Sequence, residues 1–249
     1  MPLYKLGKKP FVYNPRTLRL ADYRSPSLLP PIPANKDWTD SRTQWGMMKN
    51  DTIGDCAIAG PGHAILGWTQ NTGTPVVIPD SQIIAAYSAV SGYNPATGVN
   101  DNGCNLVDVL NYWRQTGIGG HKIDAYVALE TGNKDHVKET LLVFGTVLIG
   151  VALPISAQNQ PSWVVAGPTW NPDCQPGSWG GHCVIVVEYD KGGLTVVTWG
   201  QLMRMSWEFW DAYCDEAYAI LSPDWLKAGK SPAGIDMASL QSDLAAVTG

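Results

Sequence analysis

Near Gly145 the hydrophobic pattern changes period, and this confines the chain to folds in which helices come first and strands later. Upstream, residues 57–69 read as a helix with Ile58, Ile65 and Trp68 on one side, although Gly60-Pro61-Gly62 must kink it or delay its start. Asp80 is a suitable N-cap for a second helix carrying Ile83, Ile84 and Tyr87, which stops before Gly92. Beyond a polar loop at 92–103, Asn105 opens a third helix with Leu106, Val109, Leu110 and Trp113 inward and Gly117 at its end. Asp135 then caps a short helix running to Phe144. Residues 146–153 follow as a β-rich run that looks buried on both faces. Strands at 183–189 and 194–199 flank a hairpin turn, Asp190-Lys191-Gly192-Gly193. Ser206 caps a short helical stretch, and 216–221 is the last strand. The expected fold class is α+β, with two lobes.

Composition narrows the partners. Of 249 residues, 45% are hydrophobic and 16% charged, which suits a buried core rather than a disordered chain. The net charge of −5, with no basic run longer than Lys8-Lys9, points to no nucleic acid and no anionic membrane. Residues 1–20 lack the apolar core of a secretory signal, and the longest apolar stretch, 146–154, is too short to span a bilayer. The odd, sparse cysteines (56, 104, 174, 183 and 214) suit a reducing compartment, so a cytoplasmic location is expected. Pro-rich residues 1–33, with the run Leu29-Pro30-Pro31-Ile32-Pro33, read as an extended segment lying on the surface and staying out of any active cleft. Residues 34–222 form the globular domain, and 223–249 a tail whose last part reads as helical.

Chemistry concentrates in two places. Asn50-Asp51-Thr52-Ile53-Gly54-Asp55-Cys56 sets a cysteine at the start of a helix, where the helix dipole and free backbone N–H groups favour a thiolate. Gly180-Gly181-His182 sets a histidine at the mouth of an apolar strand. A cysteine followed much later by a strand histidine suits nucleophilic catalysis with the two groups within roughly 3–4 Å. The bland alternative is a buried free cysteine and a satisfied histidine. His63, two helical turns after Cys56, reads as a packing residue, and His121 and His136 as a surface loop and a helix N-terminus. Cys174, His182 and Cys183 match no standard zinc spacing, so neither metal nor cofactor is expected. Trp163, Trp170 and Trp179 read as packing groups or as the wall of a binding cleft.

Several segments, in order, resemble papain-family cysteine peptidases. Ile32-Pro33, Asp37-Trp38-Thr39, Met48-Lys49-Asn50 and Gly54-Asp55-Cys56 are similar to the opening of the mature enzymes. Asn102-Gly103-Cys104-Asn105, with the helix ending Tyr112-Trp113-Arg114-Gln115-Thr116-Gly117-Ile118, resembles the family's Gly-Cys-Asn segment. Gly181-His182 and Thr198-Trp199-Gly200 resemble its histidine strand and Asn-Ser-Trp-Gly motif. The Asn-Asp-x-x-Gly-Asp-Cys version also looks like uncharacterised papain-like proteins of bacteria and phages.

The resemblance implies a helical lobe and an antiparallel β-rich lobe with a cleft between them. Cys56 would be the nucleophile and His182 its base and acid. Asn50 would stand in for the oxyanion-hole Gln, one methylene shorter. The family's histidine-orienting Asn is missing; its place falls at Val197 or Thr198, of which only the Thr198 hydroxyl can hold an imidazole. Asp55 replaces a small residue and would cap the helix while opposing thiolate formation. Ile53 replaces the family partner of Cys104, and Cys174 with Cys214 matches a late family disulfide. The implied function is a cysteine peptidase or amidase that cleaves a peptide or isopeptide bond of a peptide or protein substrate through a thioester. A catalytically silent binding or structural domain and a thioester-forming acyltransferase stand as alternatives.

Overall fold

The computed structural model describes residues 4–23, 31–39, 42, 44–227 and 230–232. A single helical turn, α1 (Leu20–Tyr23), and a two-residue strand, β1 (Lys36–Asp37), precede the main helices. Those are α2 (Cys56–Asn71), α3 (Asp80–Ser91) and α4 (Leu106–Gln115). The start of α2 is not delayed to the Gly60-Pro61-Gly62 step: the helix begins at Cys56 and continues through Pro61. Pro61 removes one N–H bond, but its flanking glycines allow very close packing on both sides. A Cβ on Gly60 would lie 3.1 Å from Cys183 Sγ, and one on Gly62 would lie 2.6 Å from Met48 Sδ. Burial along nearly the whole of α2 outweighs the lost bond.

Gly92 ends α3 in the left-handed conformation, and α4 buries Leu106, Val109, Leu110 and Trp113 as its periodicity predicts. The sheet half holds β2 (Ala125–Ala128), α5 (Lys134–Phe144), β3 (Val147–Leu153), β4 (Gly180–Asp190), β5 (Gly193–Thr198), β6 (Gln201–Ser206), α6 (Trp207–Tyr213) and β7 (Cys214–Leu221). Strand order is β2-β7-β3-β4-β5-β6, with β1 added to β4, and every pairing is antiparallel. Thus the two-lobe α+β arrangement expected from the period change is the one found. Ser206 caps α6 through its hydroxyl, which accepts from the Phe209 N–H. The α5 cap is Asn133, whose side chain accepts from the Asp135 N–H, so it lies two residues before the expected one.

Two features of the sheet matter for the site. The helix α2 packs along β4, which brings the first turn of one beside the start of the other. The β3–β7 ladder also shifts register: Gly150 faces Glu216 while Val151 faces Cys214, leaving Asp215 as the extra residue of a bulge. After β7, Trp225 buries its ring and donates from Nε1 to Val143 O at 2.7 Å. The helix expected late in the tail lies outside the described residues, as do Leu29 and Pro30. Among the described residues, no helix is long and apolar enough to cross a membrane.

Candidate active site

Cys56 is the first residue of α2, and its side chain is fully buried. Burial pushes its thiol up to about 12, with Asp55 adding to the rise. The backbone N–H groups of Cys183 and Gly7 and the Lys8 charge pull the other way. The thiol therefore lies against the residue that follows His182. Asp55 itself makes no side-chain cap bond to α2, contrary to expectation, and neither carboxyl oxygen has a hydrogen-bond partner. Burial first, then the carboxylates of Asp101, Asp80 and Asp51, lift it to about 8. It is thus mostly protonated at neutral pH, and it opposes a Cys56 thiolate by charge chiefly above a pH of about 8.

His182, the third residue of β4, is fully buried. Its Nε2 lies 2.8 Å from Thr198 Oγ1 at the end of β5. The ring stacks on Trp199 (centroids 4.5 Å apart, planes 16° apart) and meets the edge of Trp163. Nδ1 has no hydrogen-bond partner, so the expected thiol–imidazole bond is not formed in this state. Burial, helped by the charge of His63, lowers the His182 imidazole to about 3. His63 is a packing residue, with Nε2 2.9 Å from Gly46 O. Asn50 is buried, and its Oδ1 has no partner. It follows two non-glycine residues in left-handed backbone, Met48 (φ 54°) and Lys49 (φ 64°), a local strain of the kind that collects at functional sites. All five cysteines are free, so the Cys174–Cys214 bridge does not form.

The largest departure from expectation is at residues 4–9, which enter the cleft, whereas residues 10–16 lie largely exposed on the surface as expected. The Lys8 N–H donates to Gly181 O on β4 (3.0 Å), while Cys104 N–H donates to Gly7 O (2.8 Å) and Lys9 N–H to Cys104 O (2.9 Å) before α4. Residues 4–9 thus form a strap bonded to both walls, with Gly7 on the Cys56 thiol. A Cβ on Gly7 would lie 1.7 Å from Gly54 O, so only glycine fits there. Tyr4 stacks on Trp199, at 4.5 Å between centroids, and Lys5 pairs with Asp101. Lys8 sends its side chain, fully buried, to Asp215 (2.8 Å) and Glu216 (2.9 Å). Residues 20–23 are helical rather than extended.

Sequence reasoning did not find this strap, the Asp215–Glu216 pair, or the ring walls around His182. The available signal was two adjacent acids in the otherwise apolar strand β7, which need a cation when buried. Of the Trp163, Trp170 and Trp179 group, Trp163 is core, Trp179 packs on Trp199, and Trp170 is exposed.

The architecture is that of the papain-like cysteine proteases. Xylellain, a cysteine protease from Xylella fastidiosa, superposes with a TM-score of 0.68 at 18% identity, over 88% of this chain and 96% of that one. A procathepsin B from Trypanosoma congolense gives 0.61 at 12%, over 89% and 87%. The Carica candamarcensis protease CMS1MS2, solved with E-64, gives 0.55 at 16%, over 76% and 99%. No family model and no curated protein matches the sequence.

Proposed function

We propose that the chain is a cysteine peptidase or amidase that cleaves peptide bonds through a Cys56 thioester. The observation that carries this reading is the strap: extended polypeptide lies across Cys56, hydrogen-bonded to Cys104 on one side and Gly181 on the other. A cleft that holds its own chain in this way offers the same backbone partners to a substrate. With Nε2–H donating to Thr198 Oγ1, His182 Nδ1 keeps a free lone pair. Once the strap leaves, that nitrogen takes the thiol proton as sulfur attacks the carbonyl carbon. The tetrahedral oxyanion is held by the Cys56 N–H and the Asn50 side-chain amide. Collapse breaks the C–N bond, and His182 returns the proton to the leaving amine. Water then hydrolyses the thioester with His182 again as base.

A second reading, a papain-like domain that binds without cleaving, is favoured by the neutral state of the closed site. Its thiol is raised to about 12 and its imidazole lowered to about 3. Hydrolysis separates the two. The full chain with Gly7→Val, which cannot seat the strap, should cleave a mixed peptide pool, and Cys56→Ser in that background should abolish cleavage. Peptides bound but left intact by the opened chain would establish the second reading. Amine incorporation in place of hydrolysis would make it an acyltransferase.

A further inference from the structure

Two successive residues of a strand normally point to opposite faces, yet the carboxylates of Asp215 and Glu216 converge on one ammonium. The bulge makes this possible by inserting Asp215 opposite the Gly150–Val151 step. Space for the guest comes from Gly150: a Cβ there would lie 2.1 Å from Lys8 Cε and 2.6 Å from Glu216 Cγ. Tyr218 fixes the second carboxylate, donating its hydroxyl to Glu216 Oε2 at 2.7 Å. The Lys8 ammonium finds three acceptors, Asp215 Oδ2, Glu216 Oε1 and Lys9 O at 3.2 Å, one for each of its N–H donors. A bulge, a glycine window and an oriented acid pair build a recess shaped for a long cationic side chain.

Its occupant belongs to the segment that lies over Cys56 and is bonded to both cleft walls. We propose that this recess is the specificity pocket of the cleft, selecting a lysine side chain of a bound peptide, and that Lys8 fills it in the closed chain. The proposal rests on the peptide-cleft reading above. Emptied of Lys8, the recess leaves the carboxylates of Asp215 and Glu216 without their cation, so a neutral or acidic side chain gains nothing by entering. Arginine is the nearest competitor; its planar fork does not match three acceptors clustered about one point.

The test uses the full chain carrying Gly7→Val, Lys8→Ala and Cys56→Ala, so that the strap is displaced, the recess is vacant and no turnover occurs. Fluorescently labelled peptides differing at a single position (Lys, Arg, norleucine or Glu) are titrated by anisotropy. The lysine peptide should bind at least about tenfold tighter than the norleucine peptide, the order expected for a desolvated charge pair. Adding Asp215→Asn with Glu216→Gln, which preserves shape, should erase that preference. Equal binding of lysine and norleucine peptides, a preference that survives the acid-to-amide changes, or no peptide binding at all would overturn the proposal and leave the pair as a latch for the strap. Hydrolysis is read separately in the same chain with Cys56 intact. Lysine preference without cleavage removes the peptidase reading and leaves the pocket standing, whereas cleavage without preference does the reverse.

Discussion

Asp55 carries the clearest pH signature of any single residue here. Its carboxyl is fully buried, has no hydrogen-bond partner, and is raised to about 8 mainly by burial. In the unfolded chain it titrates near the ordinary carboxylate value of about 4. Between those values the folded state keeps a proton that the unfolded chain releases, so stability falls as pH rises through this window. His63 and His182, lowered to about 4 and about 3 by burial, act oppositely. Unfolding lets them bind protons below about 6.5, so they cost stability as pH falls from there. Asp55→Asn keeps the shape of the protonated acid. Urea unfolding should show the variant gaining on wild type by up to about 1.4 kcal/mol per pH unit between pH 5 and pH 8. Parallel stability curves across that range would mean that Asp55 is ionised in the fold. A second prediction concerns Thr198, which lies 2.8 Å from His182 Nε2. In the strap-opened chain Thr198→Val should lower kcat by about ten- to a hundredfold with KM unchanged, since a loosely held imidazole is a poor base. An unchanged kcat would remove Thr198 from the mechanism. Asn50 and Thr198 are reached only through the family resemblance, whereas Cys56 and His182 could be singled out beforehand because each sits beside a local mark, a helix start and a strand start. The protonation of Asp55 could not, because it depends on burial under chain distant in sequence.

At the scale of elements, legibility followed the strength of the local signal. The helices α3 and α4 and the β4–β5 hairpin carry clear periodicity and glycine stops, and they fall close to their expected bounds. The strand β2 has only four residues and β6 mixes apolar and polar residues without strict alternation, so neither holds enough pattern to be seen without its neighbour. In α2 a local rule against proline yielded to packing that no local rule contains. The α5–β3 junction makes a testable case of the same balance. Gly145 adopts φ 75°, and a Cβ on it would sit 2.6 Å from the Trp225 ring. Gly120 has a similar φ of 85° but nothing within 4 Å of such a Cβ. Both alanine variants bear the left-handed backbone penalty of about 1 kcal/mol. Only Gly145→Ala must also displace a buried indole, adding about 1–3 kcal/mol in urea denaturation. Equal losses at the two sites would show that Trp225 moves aside without cost.

For the molecule as a whole, the question is what keeps Cys56 covered. The strap's contacts span the chain, from Lys5 with Asp101 to Lys8 with Asp215 and Glu216, and no window of sequence reports a pairing across more than 200 residues. A Pro-rich, basic N-terminus reads as a surface wrap by every local criterion, so the cleft contact could come only from the structure. The weak point of the closed state is Gly7. It meets Gly54 backbone to backbone, and Gly54 is itself fixed through its N–H to Asp101 Oδ1 at 2.8 Å. Neither partner can yield as a flexible side chain would, so the branched Cβ of Gly7→Val is expected to expel the strap rather than be absorbed. Loss of the strap removes the cover over Cys56 and parts Tyr4 from Trp199, stacked at 4.5 Å. It also returns water to a thiol that burial holds at about 12, so its pKa should fall toward the ordinary thiol range near 8.5. Iodoacetamide labelling near pH 8, followed by peptide mass, should therefore be slow at Cys56 in wild type and at least about tenfold faster in Gly7→Val. Tryptophan emission should shift in the same variant, and Val12→Ala, an exposed change beyond the cleft contacts, should alter neither reading. If Cys56 in wild type already reacts as fast as in Gly7→Val, the strap leaves the cleft freely in solution, and access to the thiol is controlled by something other than residues 4–9.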